Sequence, residues 1–146
     1  MLATAPLDRA MRTGFSANLT PTEEYGQQLP GGEIVFGGCR ALAPGHDRGV
    51  TALTVTADVQ TGLERGLRQL FPGLPAIVIT HRWAGTMAWT ADHQPILDQR
   101  PNTPLFFAAG FSGHGLPFAA LFGAWLAEAV IRGALTPEAA PYRLQR

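Results

Sequence analysis

The 146 residues contain no lysine; all 11 bases are arginines, balanced by 11 acids for a formal net charge of zero. Without lysine the chain carries no Schiff-base nucleophile and no lysine-type phosphate loop. A neutral balance provides no basic field for nucleic acid and no polybasic patch for an anionic membrane. The single cysteine, Cys39, cannot close an internal disulfide, which excludes a disulfide-stapled scaffold. Charged residues are scarce at 15%, against 46% hydrophobic residues, so a disordered tail is excluded. His46, His81, His93 and His114 have no partners at zinc-ligand spacing, and no metal site is expected. The first residues lack a basic leader followed by a long apolar core. The most apolar stretch, 105–131, is interrupted by Ser112, Gly113, His114, Gly115 and Pro117 and carries Glu128. Neither a targeting segment nor a membrane span is expected, and the expected compartment is the cytoplasm.

What is present suits one domain of ordinary size. Residues 1–23 show no clean period. Residues 24–29 and 33–37, joined by Pro30, Gly31 and Gly32, predict a β-hairpin with Ile34 and Phe36 on one face. Residues 38–49 predict a loop and 50–55 a strand. Over 58–71, Val59, Leu63, Leu67 and Leu70 recur at helical spacing, with Asp58 as cap and Pro72-Gly73 as the stop. Residues 77–83 predict a strand, with His81 packed or hydrogen-bonded within it and a second strand over 86–90. His46 and His93 are expected at the surface. Asp92 to Gln94 forms a turn before Pro95-Ile96-Leu97. The almost wholly apolar run 103–108 predicts a strand buried on both faces. Trp83, Trp89, Phe106, Phe107, Phe111, Phe118, Phe122 and Trp125 are expected in the core.

A glycine-rich turn, Gly110-Phe111-Ser112-Gly113-His114-Gly115, then leads into a helix over 116–132, with Pro117 in its first turn and Gly133 past its end. Apolar residues cover nearly the whole circumference of that helix. Such a helix must be covered all round, by more of the same protein or by a partner. Strand, glycine turn and helix together present backbone N–H groups and a positive helix end to an anion or an electron-rich ring edge. Ser112 and His114 add side-chain donors. The same glycines also serve a plain helix entry, and spacing alone does not separate the two readings. Gly113-x-Gly115 is not a dinucleotide fingerprint, because Phe118 stands where the third glycine belongs. Ser112 is not a nucleophile elbow, because Gly113 follows it directly.

The ordered set Trp83-Ala84-Gly85, Thr90-Ala91-Asp92, Pro95-Ile96 and Gly110 through Gly115, followed by an apolar helix, resembles the C-terminal half of the FAD-dependent amine and amino-acid oxidoreductases. These include the glycine, sarcosine, D-amino-acid and γ-glutamylputrescine oxidases. The hairpin with Tyr25-Gly26-Gln27-Gln28-Leu29 is similar to part of that family's substrate-domain sheet. The resemblance spans about residues 24–133 and implies an α+β fold. Residues 1–82 would be a piece of a mixed-sheet substrate domain, and 83–146 would return to the FAD-binding domain. It implies that FAD takes a hydride from a C–N bond of a small-molecule amine or amino acid, and that Gly110, Phe111, Ser112, Gly113, His114, Gly115 and Leu116 contact the flavin.

Two departures qualify that likeness. The family's G-x-G-x-x-G and its acidic partner are absent from these residues. The expectation is a C-terminal part, inactive alone, whose pyrophosphate site is supplied elsewhere, for example by a separate N-terminal FAD-binding chain. A non-enzymatic accessory or remnant chain is the alternative. Second, several family members carry a carboxylate-binding arginine two positions after the W-x-G glycine; here that position is Met87. Met87 and Trp89 are expected near the substrate. The loss of the arginine favours a γ-glutamylputrescine-oxidase-like specificity.

Overall fold

The computed structural model describes residues 1–17 and 22–145. The chain divides into two compact units, Met1–Thr86 and Met87–Arg146.

The first unit is a five-stranded sheet with one long helix. Its strands are β1 (Leu2–Thr4), β2 (Phe15–Ala17), β3 (Glu24–Gln28), β4 (Ile34–Gly37) and β5 (Ile79–Arg82), in the order β2-β3-β4-β1-β5. Every pairing in it is antiparallel, so the part of the expected mixed sheet seen here is its antiparallel part. The β3–β4 hairpin forms as expected, with Leu29 N–H donating to Glu33 O at 2.8 Å to close the turn. Its side chains alternate between faces, so Ile34 and Phe36 are both fully buried, on the core face they share with Leu2 of β1. Thr4 is buried beside them, and its hydroxyl accepts the Ile34 N–H at 3.0 Å.

Helix α1 (Ala57–Leu70) lies against β4 and supplies Leu63 and Leu67 to that core, with Met11 and Cys39 completing it. Leu70, the last residue of the expected stripe, is exposed. Thr56, not Asp58, is the N-cap residue, and Phe71 caps the C-terminus before Pro72. Gln28 binds the preceding segment to the hairpin. Its Nε2 donates to Leu7 O and Asp8 O, and its Oε1 accepts the Ala10 and Met11 N–H groups.

Two local expectations are corrected. Residues 50–55 form no strand and lie exposed. Residues 86–90 are also irregular. His81, exposed on β5, takes the hydrogen-bonded of its two expected roles, with its Nδ1 at 3.0 Å from Thr80 Oγ1.

The second unit joins an antiparallel pair, β6 (Ile96–Gln99) and β7 (Phe106–Ala109), to helix α2 (Gly115–Arg132) and a 3-10 turn, Pro137–Tyr142. β7 is half-buried rather than enclosed on both faces. Phe122, nearly inaccessible, is the hub of the core. Its ring centre lies 5.0 Å from that of Tyr142, 5.2 Å from Phe118 and 5.8 Å from Trp125, with which it stacks. Of the tryptophans expected in the core, Trp83 and Trp89 are exposed. Asp98 on β6 holds the C-terminal turn by accepting from Arg143 Nη1 at 2.8 Å and from Leu144 N–H at 3.0 Å.

Only Phe122 and Ala129 of α2 are fully buried. Leu116 is 90% exposed, and Ile131, about half a turn round the helix from Phe122, is 85% exposed. The expected all-round apolar surface is therefore open on one side. By length and composition alone, α2 is the one helix among the described residues apolar enough to cross a membrane.

Candidate functional site

The connection between β7 and α2 is built from left-handed residues. Gly110 (φ 63°), Ser112 (φ 49°) and Gly113 (φ 84°) turn the chain from strand into helix within a few residues. His114 then takes the N-cap position, and its N–H donates to Phe111 O at 2.8 Å. Glycine tolerates such a backbone, whereas serine bears a cost of about 1 kcal/mol there. Ser112 is nevertheless held, because it is fully buried and hydrogen-bonded at both its N–H and its hydroxyl. Its N–H donates to Ala88 O at 3.1 Å. Its Oγ accepts the Thr90 N–H at 3.1 Å, lies 3.2 Å from Thr90 Oγ1 and faces Gly110 O at 3.3 Å.

These bonds join segment 88–94 to the turn. Thr90 Oγ1 donates to Gln94 O at 2.8 Å, and Asp92 Oδ1 accepts the Gln94 N–H at 3.1 Å. The indole of Trp89 is thereby placed beside Gly113, where a Cβ would sit 3.8 Å from Cζ2 of the ring. The same indole meets His93 edge-on, with ring centres 5.4 Å apart.

The expected site residues thus fall into two groups. Gly113, His114 and Leu116 form an exposed rim, with Gly115 half-buried behind them. Gly110 and Ser112 are buried, and Phe111 is half-buried with its ring turned to Phe122 at 5.9 Å. The hydroxyl of Ser112 is therefore not an outward donor, contrary to the sequence reading; it binds inward. Trp89 joins the turn, and Met87 is exposed two residues before it. Thr90 is the residue whose role sequence reasoning missed. The available signal was the turn chemistry of Thr90-Ala91-Asp92 before Pro95.

The rim suits a planar group with an electron-rich edge. The first N–H groups of an α-helix have no acceptor within it, so the start of α2 carries partial positive charge. No acid stands in its first turn to cancel that charge. Gly113 has no side chain to block close approach, and Leu116 offers an apolar surface. These residues fit the ring end of a flavin. The G-x-G-x-x-G motif that would hold its pyrophosphate does not occur in the sequence. Among the described residues, no group of three or more His, Cys, Asp or Glu converges.

Comparison with known proteins bears on the whole chain. The sarcosine oxidase subunit beta of Rhizobium meliloti (strain 1021) is 28% identical over 122 residues, 84% of this chain and 28% of that protein. A probable oxidoreductase OrdL of the same organism is 28% identical over 105 residues, 71% of this chain and 22% of that protein. The OrdL of Haemophilus influenzae is 31% identical over 74 residues. In structure, the chain is similar in fold to the L-proline dehydrogenase from P. horikoshii. The TM-score is 0.70 at 24% identity, over 97% of this chain and 37% of that one. The chain therefore spans between 17% and 28% of the length of these curated relatives. The family described as FAD dependent oxidoreductase (DAO) matches residues 1–129, and the chain belongs to that family.

Proposed function

We propose that this chain is the C-terminal part of a flavoenzyme that oxidises a C–N bond of an amine. The turn at 110–115 and the first residues of α2 would lie against the flavin ring. The observation that carries this reading is the exposed, acid-free helix start behind Gly113, flanked by the indole of Trp89. Bound FAD would supply the two-electron acceptor. The N–H groups at the start of α2 favour negative charge on a ring beside them. Trp89 and Met87 offer apolar surface that excludes water and holds a hydrocarbon chain.

The substrate favoured is an amine with no carboxylate at the reacting carbon, of the γ-glutamylputrescine type. Met87 cannot pair with a carboxylate. Arg82, the nearest arginine in sequence, already donates to Gln60 Oε1 at 2.8 Å and to Glu64 Oε1 at 2.6 Å. The dinucleotide-binding segment that would hold the pyrophosphate is proposed to cover the exposed side of α2, from the same protein or from a separate chain.

Titration of the isotopically labelled chain with millimolar FAD tests the placement. The amide resonances of Gly113, Gly115 and Leu116 are expected to shift together, with weak affinity. If these amides stay still while resonances elsewhere move, the turn is not the flavin contact.

A further inference from the structure

Ser112 stands out in the second unit. It is a fully buried hydroxyl residue in a left-handed conformation, between two glycines of the same twist and one residue from an exposed rim. Strain of this kind persists where the surroundings over-determine it. Here the surroundings are Thr90 and Ala88, which belong to a different segment. The hydroxyl accepts from Thr90 N–H and faces Gly110 O, and the backbone N–H reaches Ala88 O. Trp89 lies between those two partners in sequence. Fixing residues 88 and 90 fixes the direction of the side chain between them.

We infer that Ser112 is a positioning residue: with Thr90 it forms a clasp that sets the indole of Trp89 against Gly113 and so builds one wall of the open rim. Its side chain reaches no ligand. Its effect on any ring seated at the rim passes through Trp89. The relevance of that wall to flavin rests on the proposed function; the clasp itself does not.

The Thr90 side chain contributes in two ways. Its Oγ1 bonds to Gln94 O and meets Ser112 Oγ, while its Cγ2 stands where a Cβ on Gly110 would come within 2.7 Å. Thr90→Ser keeps the hydroxyl, whereas Thr90→Val keeps the shape and loses it.

The test uses the full chain labelled with 5-fluorotryptophan, whose three fluorine resonances are assigned with Trp89→Phe and Trp83→Phe. In Ser112→Ala the Trp89 resonance is expected to move and the Thr90 amide to exchange about ten-fold faster. Trp125, in the core of the same unit, should be unchanged. Ser112→Gly relieves the left-handed strain yet should show the same change as Ser112→Ala. A wild-type spectrum from Ser112→Gly would assign the effect to backbone shape and overturn the inference. Thr90→Ser should keep the wild-type spectrum and Thr90→Val should lose it; this pair decides the matter if Ser112→Ala does not fold. An unmoved Trp89 resonance and unaltered Thr90 exchange in Ser112→Ala also overturn it. Addition of FAD separates the two readings. If the clasp variants move Trp89 while FAD moves nothing at the rim of the wild-type chain, the clasp stands and the flavin placement falls.

Discussion

Arg82 at the end of β5 and Glu64 on α1 form an ion pair of 2.6 Å, and the same guanidinium reaches Gln60 one helical turn earlier. The edge strand is thereby attached to the helix that covers the sheet. Both side chains of the pair are a little over one-third exposed, so solvent screens the pair. Glu64→Gln should lower stability by about 0.5 kcal/mol. Arg82→Met also loses the Gln60 bond and should cost about 1 kcal/mol. A double-mutant cycle in urea measures the coupling. On the function proposed above, and because Arg82 is committed to α1, Arg82→Met should leave the ratio of amine to amino-acid turnover unchanged once FAD and the pyrophosphate-binding part are supplied. A selective loss of amino-acid turnover would show that Arg82 binds a carboxylate.

Two helix glycines should respond in opposite directions to the same change. Gly123 on α2 has open space around its missing side chain. Gly123→Ala should stabilise the chain by about 0.5–1 kcal/mol through helix propensity alone. Gly62 on α1 is buried, and a Cβ there would collide with Leu42 Cδ1 and come within 3.3 Å of Cys39. The propensity gain is the same, but overpacking costs about 1–3 kcal/mol and outweighs it. Thermal unfolding of the two variants should give shifts of opposite sign.

The parts of the fold that were legible are those whose pattern closes over a short distance. The β3–β4 hairpin showed in Ile34, Phe36 and the Pro-Gly-Gly turn between its strands, and α1 showed in Leu63 and Leu67. β1 was illegible because three residues make no period, and its partners are Phe36 and Arg82, far along the chain. Residues 50–55 carry β-branched side chains, but a strand needs a ladder partner, and these residues found none in the sheet. At the candidate site, the glycines of the turn were readable as a close-approach element. The inward direction of Ser112 was not, because it depends on φ at one residue and on Thr90, 22 positions earlier.

Cys39 should be chemically quiet. Its thiol is buried, and burial first, then the nearby charge of Glu24, pushes its pKa up to about 11. At pH 8 about one molecule in a thousand would then hold a thiolate. Alkylation by iodoacetamide should be slow in the folded chain and reach the rate of a free thiol in urea. Glu24→Gln removes the charge that faces the sulfur and should speed native-state alkylation several-fold. An equal rate in the variant would assign the protection to burial alone.

Asp98 should make the second unit sensitive to acid. Burial works to raise the pKa of this carboxyl, but hydrogen bonds from Leu144 N–H, Arg143 and Gln99 N–H prevail and hold it below the usual carboxylate range. A pKa lowered by folding means that the unfolded chain binds the proton more readily. The contribution of Asp98 is then fully present above the unfolded value, about pH 4, and is lost as pH falls through the lower folded value. Asp98→Asn should cost about 1 kcal/mol at neutral pH, since the bonds it weakens are charge-assisted but only partly shielded from water, Arg143 being about one-third exposed. Below the folded pKa the aspartate is itself neutral, so the gap between wild type and variant should narrow. Urea unfolding followed through Trp125 at pH 7 and at low pH measures both differences. A gap that stays constant across that range would mean that the Asp98 carboxylate charge does not hold the C-terminal turn.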